Sequence, residues 1–228
     1  HFQALHGQLS GYRRNGEFRF YAMLLGGAIL VLTAVTHLSG LAGYESLGSA
    51  FRKSIFQGLS ITTTTGYCTA DFDQWPTVAR GLMVVLMFCG GCAGSTGGGL
   101  KQMRVLVVIK AVGRELKRLL RPGLVNRIRI GTESLSERLV ANILGLALLW
   151  GLVFVVATLG LAFCLGDAHL PGHAPDADSQ LVTAGAAVAA TLNNIGPGLS
   201  GVGATCNYGW MPGAAKVILI LCMQIGRA

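Results

Sequence analysis

Thr62-Thr63-Thr64-Thr65-Gly66-Tyr67 and Leu192-Asn193-Asn194-Ile195-Gly196-Pro197-Gly198 decide how this chain folds. Each closes a short hydrophobic segment, lies between long apolar stretches, and precedes a further span that opens near a proline. Irregular, glycine-rich backbone cannot face lipid, because every unpaired amide costs several kcal/mol there. At membrane depth it survives only where it lines a wet path or is buried in protein. Two such segments in one chain point to a pore lined by carbonyl oxygens.

The flanking sequence supports a membrane setting. Of 228 residues, 52% are hydrophobic and 12% charged, against about 25% charged in a soluble domain. The stretches 20–44, 81–100, 139–166 and 179–215 carry no Asp, Glu, Lys or Arg, and roughly 20 apolar residues suffice to span a bilayer. The net charge of +8 is concentrated. Half of the 18 basic residues lie between Lys101 and Arg129, against one acid, Glu115. Arg13, Arg14 and Arg19 form a second cluster. Both clusters flank spans and lack interleaved aromatics, which argues against nucleic acid and for a cytoplasmic, positive-inside placement. The Asp71/Asp73 and Asp167/Asp176/Asp178 loops then face outward.

The six cysteines show no disulfide-framework spacing. Cys89-x-x-Cys92 is a redox or zinc half-site in form, but it lacks a second pair and sits in an apolar glycine run, so both read as small packing residues. The five histidines have no ligand spacing and read as loop or interface residues. The first residue is His1, and Arg227-Ala228 interrupts an apolar span, so the chain is expected to be part of a longer one.

The two halves repeat. Each reads as helix, re-entrant pore helix, filter strand, helix. The short segments, about 49–63 and 178–192, hold about 15 residues, or roughly 22 Å of helix, too little to span. Gly66 and Gly196 are 130 positions apart, whereas Pro76 and Pro212 are 136 apart, as are Arg80 and Lys216, and Gly90 and Gly226. The six extra residues fall in the loop after the second filter segment, where insertions are tolerated. The prolines suit first helical turns, and Arg80 and Lys216 read as side chains reaching to headgroups.

A cation that sheds water needs oxygen ligands, and consecutive backbone carbonyls supply them. Glycine permits the backbone angles that align those carbonyls. Thr64, Thr65, Gly66 and Tyr67 fit this well, with the threonine hydroxyl as an added ligand. Asn194, Ile195, Gly196 and Pro197 are the counterpart, although Pro197 offers a carbonyl and no amide. Of these, Thr64, Thr65, Asn194 and Ile195 are the expected ligands of the cation. A glycine turn between helices is the bland alternative for each segment alone.

A third segment, Gly90-Gly91-Cys92-Ala93-Gly94-Ser95-Thr96-Gly97-Gly98-Gly99-Leu100-Lys101, interrupts an otherwise continuous apolar span. It departs from a phosphate loop, because Leu100 precedes Lys101, Gln102 stands in place of Ser/Thr, and no strand leads in. It reads as a break in a span that faces a cavity below the filter. Gly90, Gly91, Gly94, Ser95, Thr96, Gly97, Gly98 and Gly99 are the candidate gate. Arg227 aligns with Gly91, at mid-membrane, where an arginine is costly and marks an ion path or a polar partner. The loop carbonyls are its expected partners.

These motifs resemble the Trk/Ktr/HKT superfamily of potassium transporters, and within it the TrkH-type bacterial subunit. The resemblance covers nearly the whole chain. Residues 60–67 with Ala70-Asp71-Phe72 and Trp75-Pro76 look like the family's third filter. The 90–101 segment looks like its intramembrane gating loop, and 190–198 like its fourth filter. Arg114-Glu115-Leu116-Lys117-Arg118-Leu119 is similar to the basic segment after the loop, and Gln224-Ile225-Gly226-Arg227 to the start of a G-R-[LM]-E motif.

The resemblance implies an all-α membrane protein with two helix–re-entrant pore helix–filter–helix repeats, half of a four-repeat potassium-channel-like pore. Residues 1–19 would be cytoplasmic. Residues 20–121 would form the third repeat with its broken second helix, 122–137 a basic connector, and 138–228 the fourth repeat. It further implies potassium uptake across the bacterial inner membrane, potassium as the transported ion, no organic cofactor, a homodimer in membrane lipid, and a cytosolic nucleotide-binding, TrkA-like regulatory subunit. The basic 101–129 stretch suits docking of that subunit, and anionic headgroups are the alternative for the same charges. Channel-like uptake and coupling to sodium or protons both fit these residues. A secondary transporter of another cation or small solute with broken midplane helices is the rival reading. An enzyme is disfavoured, since no catalytic triad, H-E-x-x-H or paired intramembrane carboxylates occur.

Overall fold

The computed structural model describes residues 15–121, 128–130, 133–166 and 177–227. Arg13, Arg14, Arg127, Asp167, Asp176, the side chain of Asp178 and every histidine but His37 lie outside the described residues. The described residues form seven helices: α1 Gly16–Leu38, α2 Leu47–Thr62, α3 Thr77–Phe88, α4 Gln102–Leu120, α5 Glu137–Leu165, α6 Ala177–Leu192 and α7 Gly213–Arg227. Single 3-10 turns occupy Phe72–Gln74 and Ser200–Val202. Between α4 and α5 a two-residue antiparallel ribbon pairs Arg129 with Ser134 and Ile130 with Glu133. This ribbon is the one departure, among the described residues, from an all-helical chain.

Local chemistry sets the helix ends. Asn15 caps α1, accepting from the Glu17 and Phe18 amides at 2.9 and 3.2 Å. Ser136 caps α5 through the Leu139 amide, and Gly166 ends that helix at φ +44°, a left-handed stop that suits glycine. α1 and α5, with 23 and 29 residues, are long and apolar enough to cross a membrane. α2 and α6 have 16 residues each, or about 24 Å, and end inside the protein.

The repeat is visible in the element positions. Leu47 and Ala177 open the two short helices 130 positions apart, and Thr62 and Leu192 close them at the same spacing. α3 and α7 start 136 apart, so the six-residue difference lies in the loops between. α6 is buried along Ala186-Ala187-Val188-Ala189-Ala190 and at Ala184. Its small side chains let α5, α7 and α3 approach closely. Leu32, Ile61, Met83, Leu86, Met87, Leu161 and Leu192 fill the common core. α5 exposes Leu148, Leu152, Val155, Leu159 and Phe163, which fits a helix that meets lipid.

Two contacts tie the repeats together on the loop side. Asp73 Oδ1 accepts from the Ser200 amide at 2.9 Å, and Gly203 packs so tightly on the same carboxylate that a Cβ there would collide with it. Ser200 is held at φ +58°. The outward loop therefore clasps the other repeat rather than merely facing water. Lys216 Nζ donates to the Gly209 carbonyl at 2.9 Å. Among the described residues, the buried Arg80 Nε has no hydrogen-bond partner.

Removing the Asp73 carboxylate leaves the Ser200 amide unpaired across this joint. Asp73→Ala is expected to lower unfolding free energy by about 1.5–3 kcal/mol, the range for a hydrogen bond to a charged group. Thermal unfolding of a full-length transporter carrying these repeats checks it. Asp71→Ala, whose hydrogen bonds among the described residues run to Asp73 and Gln74 within its own turn, should cost less.

Candidate ion-conduction site

The ends of α2 and α6 build the same turn. The Thr63 and Asn193 amides return to Leu59 O and Ala189 O at 2.9 and 3.1 Å. Those of Thr64 and Asn194 reach Ile61 O and Thr191 O at 3.1 and 3.0 Å, and those of Thr65 and Ile195 reach Ser60 O and Ala190 O at 2.9 and 2.8 Å. Thr64 and Asn194 both adopt left-handed backbone, at φ +57° and +54°, and the glycines two residues on sit at +77° and +114°. A β-branched residue in that region is uncommon and costs about 1–3 kcal/mol. The same backbone at matched positions, favourable for Asn194 and strained for Thr64, marks a geometry that the surrounding fold enforces.

That geometry frees particular oxygens. Among the described residues, the main-chain carbonyls of Thr64, Thr65, Asn194 and Ile195 accept no hydrogen bond. The next carbonyls are occupied. Gly66 O takes a long contact from Cys68 Sγ at 3.8 Å, Tyr67 O accepts from Ser60 Oγ at 2.6 Å, and Gly196 O accepts from Tyr208 Oη at 2.6 Å. Burial raises the Tyr208 phenol well above its ordinary pKa, so it remains a donor through neutral and mildly alkaline pH. The two segments lie against each other, since a Cβ on Gly66 would collide with the Ile195 carbonyl. The C-terminal, electronegative ends of α2 and α6 point into the same region, which favours a cation.

The glycine loop packs beneath. α3 stops at Phe88, and the loop returns at Gln102 through a closed neck. Gly90 N–H donates to Leu100 O at 3.0 Å, Gln102 N–H to Gly91 O at 3.1 Å, and Gln102 Nε2 to Gly90 O at 2.8 Å. The loop then climbs to the helix ends. A Cβ on Gly98 would lie 2.6 Å from Asn193 O, and one on Gly97 2.9 Å from Thr64 Oγ1. Gly99 N–H reaches Gly226 O at 3.4 Å. Thr63, Thr64, Thr96, Gly97, Gly98, Asn194 and Arg227 enclose a polar cavity of 260 Å³.

The structure thus brings Thr64, Asn194, Thr96–Gly99 and Arg227 together, and puts Gly90 and Gly91 at the neck. Gly94 and Ser95 lie away from that cavity, in a turn closed by Ser95 N–H to Cys92 O at 3.0 Å. Arg227 lines the cavity, but among the described residues it makes no hydrogen bond to the loop carbonyls expected as its partners. The preceding carbonyl, Gly226 O, makes the contact instead, because Gly226 packs directly on Leu192 O and brings its own backbone to the loop.

Two charged residues hold the loop, and sequence reasoning gave neither this role. Glu17 is buried at the start of α1, and its Oε1 accepts from the Ala93 amide at 2.6 Å. Lys101 Nζ donates to Ser95 O at 2.7 Å, Gly97 O at 2.6 Å and Ser95 Oγ at 3.3 Å. Lys101 read as one basic residue among nine, and Glu17 was not singled out. The signal available was that Glu17 is the one acid within the basic cluster of Arg13, Arg14 and Arg19 that precedes the first span.

A family model described as TrkH, cation transport protein, matches residues 8–228. The chain belongs to the TrkH cation transport protein family. That is a family of membrane transporters, not enzymes. The chain is 38% identical over 228 residues to the Trk system potassium uptake protein TrkH of Escherichia coli K12, covering 100% of this chain and 44% of that protein. It is 35% identical over 220 residues to the TrkH of Halomonas elongata, covering 96% of this chain and 42% of the relative. The crystal structure of the potassium transporter TrkH from Vibrio parahaemolyticus matches with a TM-score of 0.81 at 37% identity, over 96% of this chain and 43% of that one. The chain therefore spans less than half the length of these relatives.

If Glu17 latches the loop, Glu17→Ala should expose the native thiol of Cys92 beside it. In a background whose other five cysteines are replaced, maleimide labelling of Cys92 is expected to rise roughly tenfold, from the loss of one charged hydrogen bond. Glu17→Gln, which retains an acceptor, should restore most of the protection.

Proposed function

We propose that these two repeats form half of a potassium uptake path in the bacterial inner membrane. The carrying observation is the pair of matched turns after α2 and α6, whose unpaired carbonyls meet above a glycine loop. Potassium would exchange water for the carbonyls of Thr64, Thr65, Asn194 and Ile195, with Gly66, Tyr67, Gly196 and Pro197 extending the filter, the first three through the lone pairs their own hydrogen bonds leave over. The Thr64 hydroxyl is close enough to the loop to join it. Two further repeats of the same kind would complete the ring, as the length of the relatives suggests.

The loop and Arg227 serve as the gate in this reading. With the Thr96–Gly99 backbone against the base of both turns, the space below is narrow and carries a guanidinium charge. A cation leaves only when the loop shifts and Arg227 withdraws or is screened. Gly90 and Gly91 form the hinge side of that movement, and Gly94 and Ser95 the outer turn. A homodimer and a cytosolic nucleotide-binding regulatory subunit complete the assembly, with potassium as cargo and no organic cofactor.

The test is growth rescue of a potassium-uptake-deficient bacterium at low external potassium, using a full-length transporter that carries these repeats. Gly66→Ser should abolish rescue, because its Cβ has no room beside Ile195 O and its backbone sits at φ +77°. Arg227→Ala should raise potassium leak in cells lacking the regulatory subunit. Failure of the well-expressed, unmodified protein to rescue with its regulatory subunit present would overturn the potassium reading.

A further inference from the structure

α4 carries an unexplained groove at its cytoplasmic end. Ile109, Lys110, Gly113, Arg114, Lys117, Ile128 and Arg129 line a cavity of 300 Å³ between α4 and the ribbon. Its charges are not all spent. Arg114 is buried and makes a two-pronged bond to Glu137 at 2.8 and 2.9 Å, with Glu115 at 3.2 Å. This pins α4 to α5 over the small cluster of Val107, Ala111, Ile128 and Val140. Among the described residues, Lys110 Nζ meets only the neutral Arg129 carbonyl. Among the described residues, Lys117 and the Arg129 side chain face no carboxylate.

A second feature lies beside it. Ile109, Val112, Leu116, Leu119 and Leu120 are exposed and recur at three- and four-residue spacing, so they form one apolar stripe. Lys110, Gly113 and Lys117 fall on the adjoining face by the same spacing. Gly113 opens the wall between them: a Cβ there would touch nothing within 4 Å. A cationic groove of this size next to an apolar track that is exposed among the described residues matches an amphiphile with an anionic head. A free anion would use the groove and leave the track bare, and an acidic protein surface has no need of the track.

We propose that the groove between α4 and the 128–130 strand binds an anionic phospholipid, its phosphate held by Lys110, Lys117 and Arg129 and an acyl chain lying along the Ile109–Leu120 stripe. Such a lipid would bear on the gate. α4 begins at Gln102, whose amide and side chain close the neck of the glycine loop. A ligand that braces the far end of this helix biases the position of the loop's downstream anchor.

Native mass spectrometry of a full-length transporter carrying these repeats provides the test, with phosphatidylglycerol, phosphatidylcholine of the same chains, and glycerol phosphate as probes. Retention of phosphatidylglycerol should exceed that of phosphatidylcholine roughly tenfold or more, on electrostatic grounds. Lys110→Gln with Lys117→Gln should remove most of that preference. Gly113→Leu should do the same by filling the groove while leaving every charge in place and improving helix propensity, so loss there is not loss of fold. Equal retention of the two lipids, or variants that bind as the unmodified protein does, would overturn the proposal. Displacement of the lipid by equimolar glycerol phosphate would assign the groove to a free anion and overturn the lipid reading. Unchanged lipid retention with loss of a co-purifying cytosolic partner would assign the face to protein docking. The assay reads lipid, not flux, so it stands even if the transported ion proves not to be potassium.

Discussion

Unpaired backbone at membrane depth is the constraint on which the rest depends. Three segments leave the helical hydrogen-bond pattern here: the turns after α2 and α6 and the loop between α3 and α4. Each must bury its amides or turn its carbonyls to a wet space. The two turns send their amides back into their own helices and leave carbonyls free. The loop closes its neck on itself and hands its outer amides and carbonyls to Glu17, Lys101 and Gly226. Unpaired oxygen is thus concentrated in one place, where a cation can use it.

This arrangement explains the composition around the site. The α6 core is almost wholly alanine and valine because a helix that ends mid-protein must be surrounded by others. Small side chains let three helices reach it. The glycines serve approach more than flexibility. Gly98 and Gly226 bring backbone onto backbone at the base of α6, where any side chain would push the loop from the turns. The left-handed backbone at Thr64 and Asn194 is held by those same contacts.

Much of this was legible in the chain. The uncharged stretches, the short segments, the 130-residue spacing of Gly66 and Gly196 and the glycine-rich interruption are periodicity and composition, and they gave the helices and their order. What pattern could not supply was partner choice. Asp73 looked like an outward loop acid, and it clasps the other repeat. Arg227 was expected on the loop carbonyls, two of which instead accept from Lys101, while the loop's Gly99 amide donates to Gly226 O. A charge at a helix end has one sequence signature whether it meets water, lipid or a loop 76 positions away, as Glu17 does.

By itself the sequence determined the membrane setting, the two repeats and the sites where helices must break, since each follows from local hydrophobicity and the backbone freedom of glycine. Only the tertiary structure decided which carbonyls remain free, that both turns and the loop converge on one cavity, and that Glu17, Lys101 and Asp73 hold them there. Those outcomes depend on distances between residues far apart in the chain. Such distances are fixed by packing around α6, not by any local preference.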